Sequence, residues 1–306
     1  MIPPRTFAAL LMAALACAAT TARAGPLLYV ALGNNTIVKF DTTATNPTPT
    51  TFASTGLNNP FGLAFDATSN LYVSNSSING TIEKFTPSGV GSVFASTGLV
   101  TPQGLAFDTA GNLYVANAND FSILKFTPSG VGSVFASSAP YSPTALAFDA
   151  VGNLYVAYGI PGTIEKYTPG GVGSVFASGL NSPTALAFDA AGNLYVSTIF
   201  SIEKYTLSGL GSPFATGAFE VQGMAFDAAG NLYASESNEI SGNIIEKYTP
   251  SGLGSVFATT PAVPMGLAFG PSTSAVPEPS SLALECLVLV SLGLFACARR
   301  ICLRAA

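Results

Sequence analysis

A unit of about 40 residues recurs six times between residues 26 and 270, and this repeat constrains the fold more than any other feature of the sequence. The tetrapeptide Leu-Ala-Phe-Asp, or a close variant, marks each unit. Its last residue lies at Asp66, Asp108, Asp149, Asp189, Asp227 and Gly270, with spacings of 42, 41, 40, 38 and 43 residues. Self-similarity at such a period predicts a chain of equivalent supersecondary units that bury their apolar faces against one another.

Each unit contains four short apolar segments, rich in Val, Ile, Phe and Tyr and bounded by turn-forming residues, which predicts four strands per unit. The second segment is Leu-Tyr-Val, the third is Ile-x-Lys followed by Phe or Tyr, and the fourth is centred on a Phe. Asp-x-x-Gly-Asn and Thr-Pro-Ser-Gly supply the turns within a unit. Ile82 and Phe85 are three residues apart and therefore face opposite sides of their strand, which predicts a sheet buried on both sides.

Six units of four strands predict an all-β fold, a six-bladed β-propeller with antiparallel strands over residues 25–270. The chain enters the repeat at the second strand of a unit and leaves it after a first strand, Gly266 to Phe269. The last strand would therefore join the first three and close the ring. An open β-solenoid is the weaker alternative, because it does not need complementary partial units.

The repeats resemble NHL repeats, and the wider group of six-bladed propellers includes gluconolactonase-like enzymes. The resemblance implies the fold and not an activity, because propellers carry many unrelated functions. Enzymes of that group hold a divalent cation with Glu, Asp and Asn at the mouth of the central channel. Oxygen ligands would suit calcium and could be recruited from Asn75, Asn117, Asp120, Glu220 and Glu236, but no motif aligns residue by residue, so we predict no cofactor and no metal site.

Both ends of the chain are typical of an exported protein. Residues 1–24 combine Arg5, a short apolar run and the cleavage site Ala22-Arg23-Ala24, which predicts a signal peptide and not a membrane anchor, because the run is too short to span. Residues 271–281 form a linker with Pro277, Glu278 and Pro279. Residues 282–306 predict a transmembrane helix with a basic tail that includes Arg299 and Arg300. All four Cys lie in these end segments, so the propeller has none.

The C-terminal order of Pro-Glu-Pro, apolar helix and Arg cluster resembles the PEP-CTERM sorting signal of bacteria that make exopolysaccharide. The resemblance implies recognition by an exosortase, transient anchoring in the inner membrane and delivery to the surface or matrix of a Gram-negative bacterium. A plain C-terminal anchor is the alternative. Either interpretation places the propeller outside the inner membrane.

The composition excludes several kinds of catalytic site and binding partner. The chain has no His, which excludes a Ser-His-Asp triad and histidine metal ligands. Its net charge is −5, and residues 25–275, with 6 basic and 14 acidic side chains, carry −8. Such a balance argues against a nucleic-acid partner.

Residues that depart from the repeat are the candidate functional residues. In an up-and-down blade, the loops between second and third strands emerge on the same face as the blade-to-blade connections; we call it the loop face and its opposite the turn face. The exceptional acids are predicted to lie on the loop face, at Asp120, Glu220, Glu236 and Glu239. The exceptional aromatics are predicted there too, at Phe61, Phe121, Tyr141, Tyr158, Phe200 and Phe219. Alternatively, these loops have diverged freely and the aromatics pack onto blade edges.

Three functions follow as hypotheses. The first is a surface or matrix binding module, in which aromatic rings pack on sugars and carboxylates bind hydroxyls of an exopolysaccharide, or in which the same face binds a surface protein. The second is a calcium-dependent hydrolase of lactonase type, although no catalytic residue stands out. The third is a spacer without a ligand, whose Thr-rich stretch 42–51 is an extended loop or a long turn.

Overall fold

A computed structural model of the chain describes residues 26–238 and 242–271. Within these residues the chain forms six four-stranded antiparallel sheets, one for each repeat, arranged as the blades of a propeller. The prediction of an all-β six-bladed propeller with four antiparallel strands per blade is confirmed.

The strands take equivalent places in the six blades, in order from blade 1 to blade 6. The first strands are β24 (Pro264–Phe269), β4 (Pro60–Phe65), β8 (Pro102–Phe107), β12 (Pro143–Phe148), β16 (Leu186–Phe188) and β20 (Gly223–Phe226). The second strands are β1 (Leu27–Leu32), β5 (Leu71–Asn75), β9 (Leu113–Asn117), β13 (Leu154–Tyr158), β17 (Leu194–Ser197) and β21 (Leu232–Asn238). The third strands are β2 (Thr36–Asp41), β6 (Thr81–Phe85), β10 (Ser122–Phe126), β14 (Thr163–Tyr167), β18 (Ser201–Tyr205) and β22 (Gly242–Tyr248). The fourth, outer strands are β3 (Thr50–Ala53), β7 (Gly91–Ala95), β11 (Gly132–Ser137), β15 (Gly173–Ser178), β19 (Gly211–Thr216) and β23 (Gly254–Thr259).

Blade 1 is assembled from both ends of the repeat region, as predicted. Strand β24 pairs antiparallel with β1, with Phe269 opposite Leu28, and β1 continues into β2 and β3. The first strands of successive blades also contact one another all round, and β20 contacts β24. The ring is therefore closed through the last strand. Residues 42–49 of the Thr-rich stretch form the connection from β2 to β3, and Thr50 and Thr51 begin β3.

The core lies between the blades, because each sheet is covered on both faces. Ile82 and Phe85 are both fully buried, in different clusters on opposite sides of blade 2, as their spacing predicts. At each junction a Tyr of the second strand packs edge-on against two Phe rings. Tyr72, for example, lies 4.9 Å from Phe94 and 5.0 Å from Phe107 between ring centroids. Such edge contacts add to the free energy of apolar burial.

The first strands approach so closely that one position of each must be small. This position is occupied by Gly62, Gly104, Ala145, Ala185, Gly223 and Gly266. A Cβ added to Gly223 would lie 2.8 Å from the Cα of Gly266, and one added to Gly266 would meet the carbonyl oxygen of Phe61. These small residues let six backbones converge around a narrow channel of about 120 Å³.

The signal peptide, most of the 271–281 linker, the predicted C-terminal transmembrane helix and the sorting-signal residues Pro277, Glu278, Pro279, Arg299 and Arg300 lie outside the described residues. In the part of the chain that the structure describes, no helix has the length and apolar character needed to cross a bilayer.

Candidate functional site

The charged residues of the turn face form a repeated structural network. In blade 2, Asp66 accepts hydrogen bonds from the backbone N–H groups of Thr68 and Asn70 and from the Asn70 side chain. Lys84 Nζ lies 3.8 Å from Asp66 Oδ2 and 5.2 Å from the Tyr72 ring centroid. Burial alone would raise the pKa of the Asp66 carboxyl, but the bonds from Asn70 and Thr68 outweigh it and lower that pKa.

The same ion pair recurs in blades 2 to 6 of the described structure, at Lys125–Asp108, Lys166–Asp149, Lys204–Asp189 and Lys247–Asp227. Gly270 replaces the Asp in blade 1, as the sequence shows. The interpretation of these repeat acids as structural is therefore sound, and they are engaged in holding turns.

The Glu that directly precedes the repeat Lys in blades 2, 4, 5 and 6 is also engaged. Glu83 accepts a bond from Thr81 at 3.2 Å. In blades 4, 5 and 6 the Glu accepts instead from a Tyr two residues later, as Tyr167 donates to Glu165 at 2.6 Å. Burial, reinforced by Glu165, raises the pKa of Tyr167 to about 12.

On the loop-face side, the residue two positions after the Leu-Tyr-Val segment of the second strand anchors the preceding blade-to-blade loop. Asn75 accepts from the N–H of Asn58 at 3.0 Å and donates to the carbonyl of Gly56 at 2.9 Å. Asn117 makes the same two bonds, to Val100 at 2.7 Å and to Gly98 at 2.9 Å. Both side chains are buried, so they position loops and do not present free oxygen atoms to a ligand.

Glu236 occupies the same position in blade 6, and the prediction that it lies in a loop is wrong. It belongs to β21 and is 1% exposed. Its carboxylate accepts a hydrogen bond of 3.3 Å from the N–H of Phe219. Phe219 lies seventeen residues earlier in the chain, the same separation as in the bonds from Asn58 to Asn75 and from Val100 to Asn117. The hydroxyl of Tyr248 lies 2.9 Å from Glu236 Oε1 and 3.0 Å from Glu246 Oε2. Burial, together with the nearby Glu246, raises the pKa of Glu236 to about 7.

Tyr158 also departs from its predicted loop position. It ends β13 with 1% exposure, and its hydroxyl lies 3.1 Å from that of Tyr167. Burial and the Tyr167 hydroxyl raise the pKa of Tyr158. The residue therefore supports the loop face from below and does not form part of its surface.

Two exposed aromatic groups do lie on the loop face. Phe121 and Tyr141 are 39% and 40% exposed, and the N–H of Ser138 bonds to the carbonyl of Phe121 at 2.8 Å, which ties the two loops together. Tyr141 also packs edge-on against Tyr158, with ring centroids 6.5 Å apart. This first patch lies at the junction of blades 3 and 4.

The second patch lies at the junction of blades 5 and 6. Phe200 is 57% exposed and meets the half-buried Phe219 edge-on, with ring centroids 5.9 Å apart. Both patches therefore combine rings contributed by a loop between second and third strands and by the following blade-to-blade connection.

A carboxylate adjoins each patch. Asp120 is exposed at the end of a short 3₁₀ turn (Ala118–Asp120), directly before Phe121, and its Oδ2 accepts from Ser122 at 3.0 Å. Glu220 is exposed directly after Phe219. Phe121 and Glu220 both have positive φ angles, 50° and 48°, a backbone conformation that residues other than glycine adopt at an energetic cost. The backbone is therefore strained at one residue of each patch.

The remaining predicted residues do not join these patches. Phe61 lies against the central channel, which is lined mainly by small and aliphatic residues of the first strands. Glu239 lies outside the described residues.

The calcium ligands implied by the resemblance do not converge on one site. Asn75, Asn117 and Glu236 are bound to loops of different blades, and Asp120 and Glu220 belong to separate patches. Over residues 26–238 and 242–271, no group of three or more His, Cys, Asp or Glu side chains is placed to hold a metal ion.

No protein-family model matches the sequence, and no curated protein matches it. Solved structures do match. A chain of a nidogen/laminin complex has a TM-score of 0.72 at 18% identity, covering 81% of this chain and 99% of that one. A provisionally assigned gluconolactonase has a TM-score of 0.60 at 20% identity, covering 71% of this chain and 87% of that one. Virginiamycin B lyase from Staphylococcus aureus has a TM-score of 0.61 at 15% identity, covering 82% of this chain and 94% of that one. That structure is of a catalytically inactive variant in which a histidine is replaced by alanine. At these identities the likenesses show the six-bladed fold alone.

Proposed function

We propose that this chain is an exported surface or matrix protein that binds an extracellular polysaccharide through its loop face. The observation that carries the proposal is the pair of exposed patches, Phe121 with Tyr141 beside Asp120 and Phe200 with Phe219 beside Glu220. A flat ring next to a carboxylate suits a sugar, since the ring packs on its apolar face and the carboxylate accepts bonds from its hydroxyls.

Two patches at separate blade junctions favour a polymer over a small molecule. A polysaccharide chain can occupy both at once, so weak contacts at each patch add up through effective concentration. Loops on a rigid scaffold are a usual place for such contacts. The turn face, by contrast, carries the same ion pair in blades 2 to 6.

Export and sorting are part of the same proposal and rest on the sequence of the two ends. The signal peptide would direct the chain across the inner membrane. The Pro277-Glu278-Pro279 segment, the apolar helix and the Arg cluster would present it to an exosortase. Delivery to the matrix would bring the loop face to the polysaccharide.

A protein ligand on the same face is the second candidate, supported by the likeness to a chain of a nidogen/laminin complex. The calcium-dependent lactonase is the alternative enzyme, supported only at the level of the fold. The lyase neighbour is inactive when a histidine is replaced, and this chain has no histidine, so that chemistry has no counterpart in it.

The proposal is tested by affinity electrophoresis of the full chain in gels that contain the producer's own polysaccharide. We expect retardation of the wild type and loss of retardation in the double variant Phe121→Ala, Tyr141→Ala. Val151→Ala removes an exposed side chain from the turn face and serves as the matched control. No retardation of the wild type, or equal retardation of the double variant, would refute polysaccharide binding by this face.

A further inference from the structure

The positive side chains of the propeller all lie away from the loop face. Residues 25–275 contain six lysines and no arginine or histidine, and each lysine lies on a third strand, opposite the Tyr of the second strand. Five of them pair with the aspartates of the turn face at 3.5–3.9 Å. The sixth, Lys39, lies 6.0 Å from the centroid of the Phe52 ring. Residues 25–275 therefore leave no positive side chain for the loop face.

Most carboxylates of the described residues are already engaged. The repeat aspartates accept hydrogen bonds from their turns and pair with lysines, as Asp149 does with Lys166 at 3.7 Å. Asp41 accepts a bond from the Thr43 hydroxyl at 2.6 Å. Five glutamates accept from Thr or Tyr hydroxyls, namely Glu83, Glu165, Glu203, Glu236 and Glu246. Among the described residues this leaves two exposed acids, Asp120 and Glu220, both on the loop face.

These two carboxylates have oxygen atoms free to bind a ligand. The side chain of Glu220 makes no hydrogen bond or ion pair with any described residue. Asp120 accepts from Ser122 at 3.0 Å and from Asn117 at 3.2 Å, both through Oδ2, so its Oδ1 accepts from no described residue. Each acid is adjacent in the chain to an aromatic residue of its patch, Asp120 to Phe121 and Glu220 to Phe219.

We infer that the polysaccharide bound by the loop face carries free amino groups; this inference rests on the proposed function. A protonated amine can form an ion pair with the carboxylate while its charge lies against the face of the neighbouring ring. A neutral hydroxyl gains only the hydrogen bond to the carboxylate. An acidic sugar brings a further negative charge to a face without a cation, on a domain whose 6 basic and 14 acidic side chains give it a net charge of −8.

The expected preference for amines is modest at one patch and larger for a polymer. An exposed ion pair and a cation–π contact together strengthen binding about tenfold. A chain that occupies both patches gains this factor at each of them through effective concentration. We therefore expect an amine-bearing polymer to bind about 10- to 100-fold more tightly than its N-acetylated form at low salt.

The test uses three soluble polymers with the same backbone and different charge. Glycol chitosan carries free amines, glycol chitin carries the same amines in acetylated form, and carboxymethyl chitin carries carboxylates. Each polymer is immobilised on a biosensor, and binding of the full chain is measured at mildly acidic pH, where the sugar amines are protonated. We expect the affinity to fall from glycol chitosan to glycol chitin to carboxymethyl chitin. The affinity for glycol chitosan should also fall as sodium chloride is added, because salt screens the ion pairs.

Two double variants separate a specific site from the general attraction of an acidic protein to a polycation. Asp120→Asn with Glu220→Gln should bind glycol chitosan about tenfold or more weakly than the wild type and lose most of the preference over glycol chitin. Phe121→Leu with Phe200→Leu keeps the net charge and should also weaken binding to glycol chitosan, because the ring faces are lost. Val151→Ala, on the turn face, is the matched control and should bind like the wild type. Circular dichroism checks that each variant is folded.

Equal affinity of the wild type for glycol chitosan and glycol chitin would overturn the inference. Tighter binding to carboxymethyl chitin, or Phe variants that bind glycol chitosan like the wild type, would overturn it as well. The producer's own polysaccharide, compared in affinity gels before and after N-acetylation, separates this inference from the proposed function. Equal retardation by the two forms would overturn the amine preference and leave polysaccharide binding intact. No retardation by either form would refute the proposed function itself.

Discussion

The buried Glu236 should make the stability of the protein depend on pH between about 4.5 and 7. Its carboxyl lies at the junction of blades 5 and 6 with the Tyr248 hydroxyl at 2.9 Å, and burial together with Glu246 raises its pKa from 4.5 to about 7. Glu236→Gln keeps the shape of the side chain and removes the titration. Its amide oxygen can accept from the N–H of Phe219, and its amide N–H can donate to the hydroxyl oxygen of Tyr248.

The sign follows from proton binding. Between pH 4.5 and 7 the folded state holds a proton on Glu236 that the unfolded state has released, so the folded state loses stability as pH rises. The contribution of this group is fully present below the unfolded pKa and is lost as pH rises through the folded pKa. A shift from 4.5 to about 7 corresponds to about 3 kcal/mol in total.

The assay is urea unfolding of wild type and Glu236→Gln at pH 5, 6, 7 and 8. The two proteins should have similar free energies of unfolding at pH 5. The variant should be more stable by about 3 kcal/mol at pH 8, because the wild type then buries a charged carboxylate. Gln222→Ala, which changes a side chain without an ionisable group on the neighbouring loop, should show a difference from wild type that does not vary with pH.

Parallel curves for wild type and Glu236→Gln across this range would refute the reasoning. They would mean that the carboxyl has the same pKa in the folded and unfolded states. A variant that loses stability relative to wild type as pH rises would contradict the sign as well, since it would require the charged form of Glu236 to be the favoured one in the fold.

Three further predictions follow from the same contacts. Gly266→Ala should lower the free energy of unfolding by roughly 1–3 kcal/mol, because the added Cβ meets the carbonyl oxygen of Phe61 where six backbones converge. Ala145→Gly, at the equivalent position of blade 4, should lower it by less than about 1 kcal/mol. Chemical unfolding of both variants measures the two differences. Asn117→Ala should cost about 1–3 kcal/mol and speed amide exchange at Val100, whose N–H loses its acceptor. Asp66, Asp149 and Asp189 have pKa values below the usual range in the folded protein, so protonation of these carboxyls below pH 4 removes free energy that stabilises the fold. The urea midpoint of unfolding should therefore fall below pH 4. Asp149→Asn should show a smaller fall in the same pH series.

The blade count, the strand order and the ring closure were all predictable from the sequence, because each depends on a local pattern repeated six times. The consecutive apolar residues of a Leu-Tyr-Val segment point to both faces of their sheet, so all three can be buried only if that sheet lies between two others. The missing first strand at the start of the repeat region and the extra one at its end also fix how the ring closes.

The candidate site was less predictable. Tyr158 and Glu236 break the repeat two residues after the Leu-Tyr-Val or Leu-Tyr-Ala segment, where the end of a strand and the start of a loop look alike in sequence. Their burial depends on the strand continuing into the junction, as β21 does to Asn238. A seventeen-residue spacing to the loop that they support was the available signal, and Asn75 and Asn117 share it.

The central claim, that the loop face binds polysaccharide, is tested most directly by hydrogen exchange of the full chain with and without the producer's polysaccharide. We predict slower exchange in the polysaccharide-bound protein at residues 118–122, 138–142, 198–201 and 217–220, which contain both aromatic patches, and unchanged exchange in the Asp-x-x-Gly-Asn turns of the turn face. Protection confined to those turns or to the outer strands, with the loop face unchanged, would contradict the account.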